Sequence, residues 1–556
     1  MLLVVGATYA NHFENSFHFD DAHSIETNPH ITTLAQPLRF FTDASTFSAL
    51  PLNQSYRPLL TLSLALDYAW GGGLRPLAFH VTSFACFLLQ LVLMFLLFER
   101  LLGRERSTAA LAATALYGLH PLAAETVNYI IQRGETLSTL GVIGALLLYV
   151  RSPRPFGWHL VAMLAGCMAK PPAVMLAPLL FAYVWLYADT ATPRRTRFAH
   201  AIRQSAPAFV LAAIWLFVTL RMTPAQATTG GGPIGHYVAT QPWVSLHYFA
   251  MFFWPNHLSA DTDWTVFTAL ARPEFFAGLG FLLGFAALCV ACARRPGWRA
   301  EAFGLTWWWL ALLPTACVPL AEVLNDHRMF FPSVGLALTV TSVADRLARA
   351  AIRRGGPAMR WLVAAGVFAV LASASIATQQ RNRVWKSEAT LWRDVTLKSP
   401  RNGRGLMNYG LALMADGDYV SACSYFERAL VLLPNYAHAE TNLGIALGEL
   451  GHDREAEQHF FRAMTLSEVP VAHLFFARYL RARMRDTEAR SVLETGLSLQ
   501  ADRWDLRLAL LALLDDQQDD RALRELLDQT RARFPGRSEL DRFEQALAQR
   551  HRHVLP

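Results

Sequence analysis

The stretch LAFHVTSFACFLLQLVLMFLLF, residues 77–98, decides the fold class, because it contains no Asp, Glu, Lys or Arg. A helix needs about 20 apolar residues to cross the hydrocarbon core of a bilayer. Glu99 and Arg100 follow directly, and Arg104 and Arg106 come soon after. An apolar run of this length that ends in basic residues predicts a membrane-spanning helix.

Similar apolar runs recur through the first two thirds of the chain. We predict spans at 77–98, 107–127, 136–150, 157–169, 171–187, 205–221, 273–293, 300–320, 329–345 and 361–378. Residues 2–10 are also apolar, but polar residues follow at once, so the first span is either short or begins upstream of the given start. The expected fold is all-α, with a polytopic bundle of about 11 spans.

Composition divides the chain into two unlike regions. Hydrophobic residues make up 53% of the chain and charged residues 17%, against about 45–50% and 25% in a soluble domain. Long apolar runs occupy 75–378, whereas the remainder is charged and amphipathic. We therefore predict a membrane domain over 1–380 and a globular domain over 381–556.

Arginine position predicts both topology and the class of partner. The net charge is +7, but the arginines cluster at the ends of apolar runs, which argues against nucleic-acid binding. If 99–106 is cytoplasmic, alternation of the spans places every other Arg-rich loop on the same side. The opposite side then receives 11–74, 128–135, the turn at Lys170, 222–272, 321–328 and the C-terminal domain. The six cysteines form no disulfide framework, and CVAC at 289–292 lies within an apolar span, where packing explains it.

The C-terminal domain repeats with the 34-residue period of a tetratricopeptide unit. The matching pairs are Gly410 and Gly444, Ala422 and Ala456, Phe426 and Phe460, and Ala429 and Ala463. Third and fourth units are weaker, and 386–398 is predicted to be a single leading helix. The domain is thus expected to be an α-solenoid, a fold whose concave surface typically binds extended peptide or protein.

The first external loop contains the adjacent carboxylates Asp20 and Asp21. One of them is a candidate general base, because it can accept a proton while its neighbour shapes the local field. The pair could equally bind a divalent cation through oxygen ligands. A solvated acidic turn is the third interpretation.

Basic side chains gather on the same predicted face. Arg57, Arg133, Lys170 and Arg328 could together hold a phosphate or diphosphate, although each alone is explained by snorkelling or ion pairing. His120, Glu125 and His327 lie at the same ends of the spans. Neither Gly71–Gly73 nor Gly230–Gly232 is followed by the Lys-Ser/Thr of a nucleotide-binding loop, and a sugar donor carried on a lipid needs none.

Seven stretches in this order resemble the transmembrane and tetratricopeptide-repeat O-mannosyltransferases and their bacterial relatives among the group C glycosyltransferases. They are FDDAHSIETNP (19–29), SYRPLLTLSLALDY (55–68), HPLAAETVNYIIQRGETL (120–137), the Lys170 turn, WPNHLSAD (254–261), HRMFFPSVG (327–335) and VWKSEATLWRDVTLKSP (384–400). The resemblance covers about 15 to 555 and ends in the repeats. It implies a catalytic pocket on the non-cytoplasmic face and a polyprenyl-phosphate-linked sugar as donor.

Site residues follow from the resemblance position by position. The base maps to Asp20 and Asp21. The donor and substrate positions are Arg57, His120, Glu125, Arg133, Lys170, His327 and Arg328, with no metal ligands assigned. Two positions depart from the family pattern: Pro171 stands where Glu often follows the lysine, and His327 stands where Glu often precedes the arginine.

The resulting hypothesis is a glycosyltransferase of a bacterial inner membrane, with its active site and repeats in the periplasm. It would move a sugar, with inversion, to a Ser or Thr hydroxyl of a protein docked by the repeats. No cofactor is required, although a divalent cation stays an open alternative. Two other functions are compatible with the sequence: a non-enzymatic scaffold whose repeats recruit partners, and sugar transfer to a lipid or glycan.

Overall fold

The computed structural model describes residues 1–189, 191–225, 227, 230, 232–269, 271–295, 297–466 and 470–554. The chain divides into two compact units, Met1–Asp394 and Val395–Pro556. Within the described ranges the regular structure is helical, and an isolated bridge pairs Gly230 with Leu320. The all-α prediction is therefore confirmed.

In its described residues the first unit contains fourteen α-helices, joined by turns, short 3-10 helices and longer loops. They are α1 (Leu2–Thr8), α2 (Arg39–Thr42), α3 (Pro58–Gly71), α4 (Pro76–Leu102), α5 (Ser107–Gly118), α6 (Leu122–Asn128), α7 (Arg133–Arg151), α8 (Trp158–Ala169), α9 (Leu176–Tyr187), α10 (Arg194–Met222), α11 (Ile234–Phe253), α12 (Pro273–Arg294), α13 (Arg299–Cys317) and α14 (Phe330–Val384). The helix α15 (Glu388–Lys398) follows, where a leading helix over 386–398 was predicted.

Length and apolar composition qualify four helical segments of the described chain as membrane spans. They are Pro76–Leu102, Arg194–Met222, Pro273–Arg294 and Asp326–Val384, with shorter apolar helices at Trp158–Ala169 and Pro171–Tyr187. Large apolar side chains such as Trp361, Phe368 and Leu220 are exposed, as expected where lipid takes the place of a protein core. The chain is thus a membrane protein, and the count of about 11 spans stays a prediction.

The predicted spans 329–345 and 361–378 join into the single helix α14. The helix is interrupted at Gly356, whose φ of 63° lies in the left-handed region, and Pro357 follows. The basic stretch between the two apolar halves surrounds this break. The sequence therefore identified two apolar segments that the structure connects by a kinked helix rather than by a loop.

A buried amide network fixes the chain where it leaves α1. The Asn128 side chain at the end of α6 accepts a hydrogen bond from Asn15 Nδ2 (2.5 Å) and donates one to Asn382 Oδ1 (2.7 Å). His12 Nδ1 also contacts Asn128 Oδ1 at 2.9 Å. Buried amides need such partners. The network therefore joins the first loop to the ends of α6 and α14, and so positions the acidic pair that follows.

The second unit is a series of paired helices. They are α16 (Gly403–Ala415), α17 (Tyr419–Leu432), α18 (Ala437–Glu449), α19 (Asp453–Leu466), α20 (Val471–Ala482), α21 (Asp486–Leu499), α22 (Trp504–Asp516), α23 (Asp520–Arg533) and α24 (Asp541–Val554). The first two pairs repeat the same close contact: Gly410 meets the ring of Phe426, and Gly444 meets that of Phe460. The predicted period and the predicted repeat core are both confirmed.

Replacing Gly410 by Ala tests this repeat contact. A Cβ at this position would lie 2.7 Å from Phe426 Cε1, and the ring is fully buried. We expect Gly410→Ala to destabilise the repeats by about 1–3 kcal/mol, because the aromatic side chain must shift inside a packed core. Thermal unfolding and limited proteolysis of the full chain in detergent measure the effect. The adjacent residue Leu411 is exposed, so Leu411→Ala is the control. Equal stability of the two variants would contradict the predicted contact.

Candidate active site

The acidic pair follows a strained residue held in an aromatic box. Phe19 has a φ of 50°, a left-handed conformation that is uncommon for a residue with a bulky side chain. Its ring centroid lies 4.9 Å from that of Trp392, 5.4 Å from that of Tyr129 and 6.1 Å from that of Trp385. This packing holds the backbone turn, and the two carboxylates that follow enter different environments.

Asp21 is fully buried and fastens the loop. Its Oδ1 accepts the Ile131 backbone N–H at 2.9 Å, and its Oδ2 accepts the His18 backbone N–H at 3.1 Å. Burial raises the pKa of Asp21 to about 7, although the two backbone donors oppose the shift. Both oxygens of this side chain are thus engaged in holding the first loop against the segment after α6.

Asp20 faces solvent instead. Its side chain is 56% exposed, and its Oδ1 lies 3.2 Å from His23 Nε2. Its backbone N–H donates to the Tyr129 hydroxyl at 2.9 Å. Desolvation acts to raise the pKa of Asp20, but the hydrogen bond and charge of His23 and the charge of Arg57 outweigh it and hold the pKa below its usual value. Asp20 therefore presents an ionised carboxylate that a substrate can reach.

Three other basic groups predicted as site residues each contact a protein partner. Lys170 Nζ lies 2.7 Å from Glu135 Oε2 and donates to Gln132 Oε1 at 2.8 Å. His327 Nδ1 lies 2.9 Å from Glu125 Oε1. Arg328 NH2 donates to the Glu322 carbonyl oxygen at 2.8 Å. These contacts combine partners from α6, α7, the turn after α8 and the segment before α14.

Arg57 is the basic group with spare hydrogen-bonding capacity. It precedes α3, and its guanidinium lies 4.8 Å from the centroid of the Phe47 ring. Among the described residues, its shielded Nε has no hydrogen-bond partner. A guanidinium donor without a protein acceptor fits an incoming phosphate oxygen. The charges of Asp20 and Glu135 also act on Arg57, which places it between the two carboxylates.

Electrostatic interactions between these basic groups indicate that they belong to one site. The charges of Lys170, Arg328 and Arg57 all act on the His327 ring, and those of Arg57 and Arg328 act on Lys170. We call the site the polar cluster and define it by Asp20, Arg57, Glu125, Gln132, Glu135, Lys170, His327 and Arg328. Most of the site residues predicted from the sequence thus fall in a single region of the first unit.

Besides the buried Asp21, two predicted site residues lie outside the polar cluster. Arg133 is fully buried, pairs with Asp67 at 2.5 Å and donates to Ser83 Oγ at 2.9 Å. His120 Nε2 contacts the Phe252 carbonyl oxygen at 2.9 Å, and its ring stacks on that of Phe252. Arg133 and His120 thus both make their hydrogen bonds with other groups of the protein. Their observed contacts are those of residues that hold helices together.

Gln132 and Glu135 join the polar cluster although the sequence assigned them no role. Both lie in QRGET, residues 132–136, which begins α7 and follows the segment held by Asp21. Their spacing of three places them on neighbouring positions of one helical turn, a signal that could have indicated a shared contact with Lys170. Within the described residues, no three His, Cys, Asp or Glu side chains converge as a metal site.

The fold and the polar cluster define a helical membrane protein with a charged site that includes its first loop and a tetratricopeptide-like repeat unit. The chain is 23% identical over 539 residues to the protein O-mannosyl-transferase Tmtc3 of Drosophila melanogaster, covering 82% of this chain and 57% of that protein. It is 24% identical over 509 residues to the protein O-mannosyl-transferase TMTC3 of Mus musculus, covering 83% and 54%. Its homologues are thus named protein O-mannosyl-transferases, and the chain spans little more than half the length of these relatives. No protein-family model matches the chain.

Two solved structures align with parts of the chain at low scores. ArnT from Cupriavidus metallidurans bound to undecaprenyl phosphate is 12% identical, with 84% of this chain and 80% of that chain covered and a TM-score of 0.33. PilF from Pseudomonas aeruginosa is 19% identical, with 37% and 96% covered and a TM-score of 0.24. Both scores are too low to carry a structural argument.

Replacing Asp21 by Asn tests its role in holding the loop. The amide can accept only one of the two backbone N–H bonds, so the other donor is left unsatisfied, at a cost of about 1–3 kcal/mol. We expect Asp21→Asn to lower the unfolding temperature in detergent. The exposed neighbouring carboxylate gives the control, and Asp20→Asn should leave the unfolding temperature nearly unchanged.

The pH dependence of this destabilisation has a defined sign. The folded-state pKa of Asp21, about 7, lies above the ordinary value of 3.8. Its stabilising contribution is therefore complete below pH 3.8 and is lost as the pH rises through about 7. The stability difference between wild type and Asp21→Asn should be larger at pH 5 than at pH 8. A difference that stays the same from pH 5 to pH 8 would show that the buried group is charged throughout this range.

Proposed function

We propose that the chain is an integral-membrane glycosyltransferase that moves a sugar from a polyprenyl-phosphate carrier to a Ser or Thr hydroxyl of an extracytoplasmic protein. The observation that carries the proposal is the polar cluster, where the charges of the exposed Asp20 carboxylate and of Arg57 act on each other and the charge of Arg57 acts in turn on Lys170 and His327. The homologues named protein O-mannosyl-transferases support the reaction class.

The polar cluster contains the groups that such a transfer needs. Asp20 accepts the proton of the acceptor hydroxyl as its oxygen attacks the anomeric carbon. The bond from that carbon to the carrier phosphate breaks, the electron pair leaves with the phosphate, and attack from the opposite side inverts the configuration. Arg57, assisted by Lys170, stabilises the charge that develops on the leaving phosphate. The reaction needs one base and a stabilised leaving group.

The two carboxylates take separate roles in this proposal. Asp20 is exposed and ionised, so it can meet an incoming hydroxyl. Asp21 is buried with both oxygens engaged by backbone N–H groups, so it acts as a positioning residue. The strained Phe19 turn separates the two side chains, and the adjacent Tyr129 hydroxyl accepts the Asp20 backbone N–H. These contacts support Asp20 as the base and Asp21 as a positioning residue in this proposal.

Removing the proposed base tests the function. We expect Asp20→Asn to lower sugar transfer about 10²–10⁴-fold, because the amide cannot take the proton, while insertion and stability stay unchanged. Glycoproteomics of extracytoplasmic proteins from cells with and without the chain identifies the product, and transfer from a polyprenyl-phosphate sugar to a peptide measures the rate. Glu26→Gln removes an exposed carboxylate from the same loop and is the matched control. Full transfer by Asp20→Asn would leave the scaffold hypothesis in place.

Two arginines allow a contrast between phosphate binding and helix packing. Arg57→Gln should lower transfer about 100-fold with little change in stability, and Arg57→Lys should restore part of it, since a positive charge remains. Arg133→Gln should instead destabilise the fold by about 3–5 kcal/mol, because the buried Asp67 loses its partner. Transfer rates and unfolding temperatures measured on all three variants separate the two roles. A large loss of stability in Arg57→Gln would contradict the assignment of Arg57.

A further inference from the structure

A cavity lies at the turn of the helical hairpin formed by α7 and α8. The hairpin begins at the polar cluster, and α7 runs for 19 residues away from it, roughly 28 Å at 1.5 Å per residue. The cavity has a volume of about 540 Å³ and is formed where α7 ends and α8 begins. It is therefore remote from the polar cluster, and the proposed sugar transfer makes no use of it.

Exposed aromatic side chains form one side of this cavity. Phe156 is 73% exposed and Trp158 is 76% exposed, and both line it. Trp and other aromatic side chains are enriched where the ends of membrane spans meet the lipid headgroups. Leu148 and Val161 also line the cavity, and both are exposed apolar side chains. A ligand that is apolar at one end matches this side.

Two arginine side chains form the other side of the cavity. Arg151 ends α7, Arg154 lies in the following loop, and both line the cavity with exposed side chains. In the part of the chain that the structure describes, neither arginine takes part in an ion pair, and none of the lining residues is acidic. The buried ring of His159 also lines the cavity. Two unpaired guanidinium groups beside an apolar surface match a phosphate attached to a lipid.

We propose that this cavity binds the headgroup of an anionic phospholipid. The phosphate lies between Arg151 and Arg154, and the acyl chains lie against Phe156 and Trp158. Two cations favour a headgroup with net negative charge over a zwitterionic one, because a choline or ethanolamine group would add a positive charge beside the arginines. The site would hold the turn of the hairpin at the membrane surface, on the side that the arginine pattern assigns to the cytoplasm.

Lipid retention by the full chain tests the proposal. Native mass spectrometry of the detergent-purified protein, titrated with phosphatidylglycerol or with phosphatidylcholine, counts the bound lipids. We expect the wild type to prefer phosphatidylglycerol, and the double variant Arg151→Gln/Arg154→Gln to bind it about 10- to 30-fold more weakly. The variant Arg194→Gln/Arg195→Gln removes the same charge from the exposed start of α10 and should bind as the wild type does.

Further variants separate the possible outcomes. Arg151→Lys/Arg154→Lys keeps the charge and should retain most of the binding, whereas Trp158→Ala should weaken it. Equal binding of the two lipids by the wild type, or equal losses in the two glutamine double variants, would overturn the proposal. Displacement of phosphatidylglycerol by an equal concentration of inorganic phosphate would overturn it as well, because the site would then recognise a free anion rather than a lipid.

Discussion

The buried Asp21 carboxylate is the contact on which the geometry of the site depends. Its two oxygens accept backbone N–H groups from His18 and from Ile131, and so join the first loop to the segment between α6 and α7. The second segment leads directly into Gln132 and Glu135, the partners of Lys170. One buried side chain therefore sets the loop that presents Asp20 and the helix start that orients the basic groups. Because a buried carboxylate is costly unless it is hydrogen-bonded, this junction has little freedom to rearrange.

Charge at membrane depth explains why some basic residues form the site and one does not. A buried arginine is stable only with its hydrogen-bonding groups satisfied, and Arg133 meets that condition through Asp67, Ser83 and the Phe79 carbonyl oxygen. The hydrogen-bond donors of Arg133 are therefore occupied by partners within the helix bundle. Arg57 differs because it rests on an aromatic face and keeps a donor without a protein partner among the described residues. Arg133 and Arg57 carry the same charge but lie in unlike surroundings. The difference between them is in the hydrogen-bond acceptors that the protein provides.

The fold could be predicted from the sequence further than the site could. Apolar runs identify helices because the hydrocarbon core sets their length, and the 34-residue period identifies the repeats because Gly410 and Phe426 must meet in each unit. Loops and helix breaks are harder, since the kink at Gly356 turns two predicted spans into one helix. The separate fates of Asp20 and Asp21 were out of reach, because they depend on the backbone conformation of Phe19 and on aromatic partners as distant as Trp392. Adjacent residues carry no sequence signal that distinguishes a buried carboxylate from an exposed one.

The two departures from the family pattern are compensated by side chains elsewhere in the polar cluster. The resemblance implies a carboxylate beside the lysine, and Pro171 removes it from the chain position that follows Lys170. Glu135 supplies a carboxylate from α7 at 2.7 Å instead. His327 likewise stands where a glutamate is implied, and Glu125 contacts it at 2.9 Å from α6. In each case a carboxyl group contacts the basic side chain, Lys170 or His327, but it comes from a different helix. The contact is therefore kept in space although the sequence position that supplies the carboxyl group is not the one the resemblance implies.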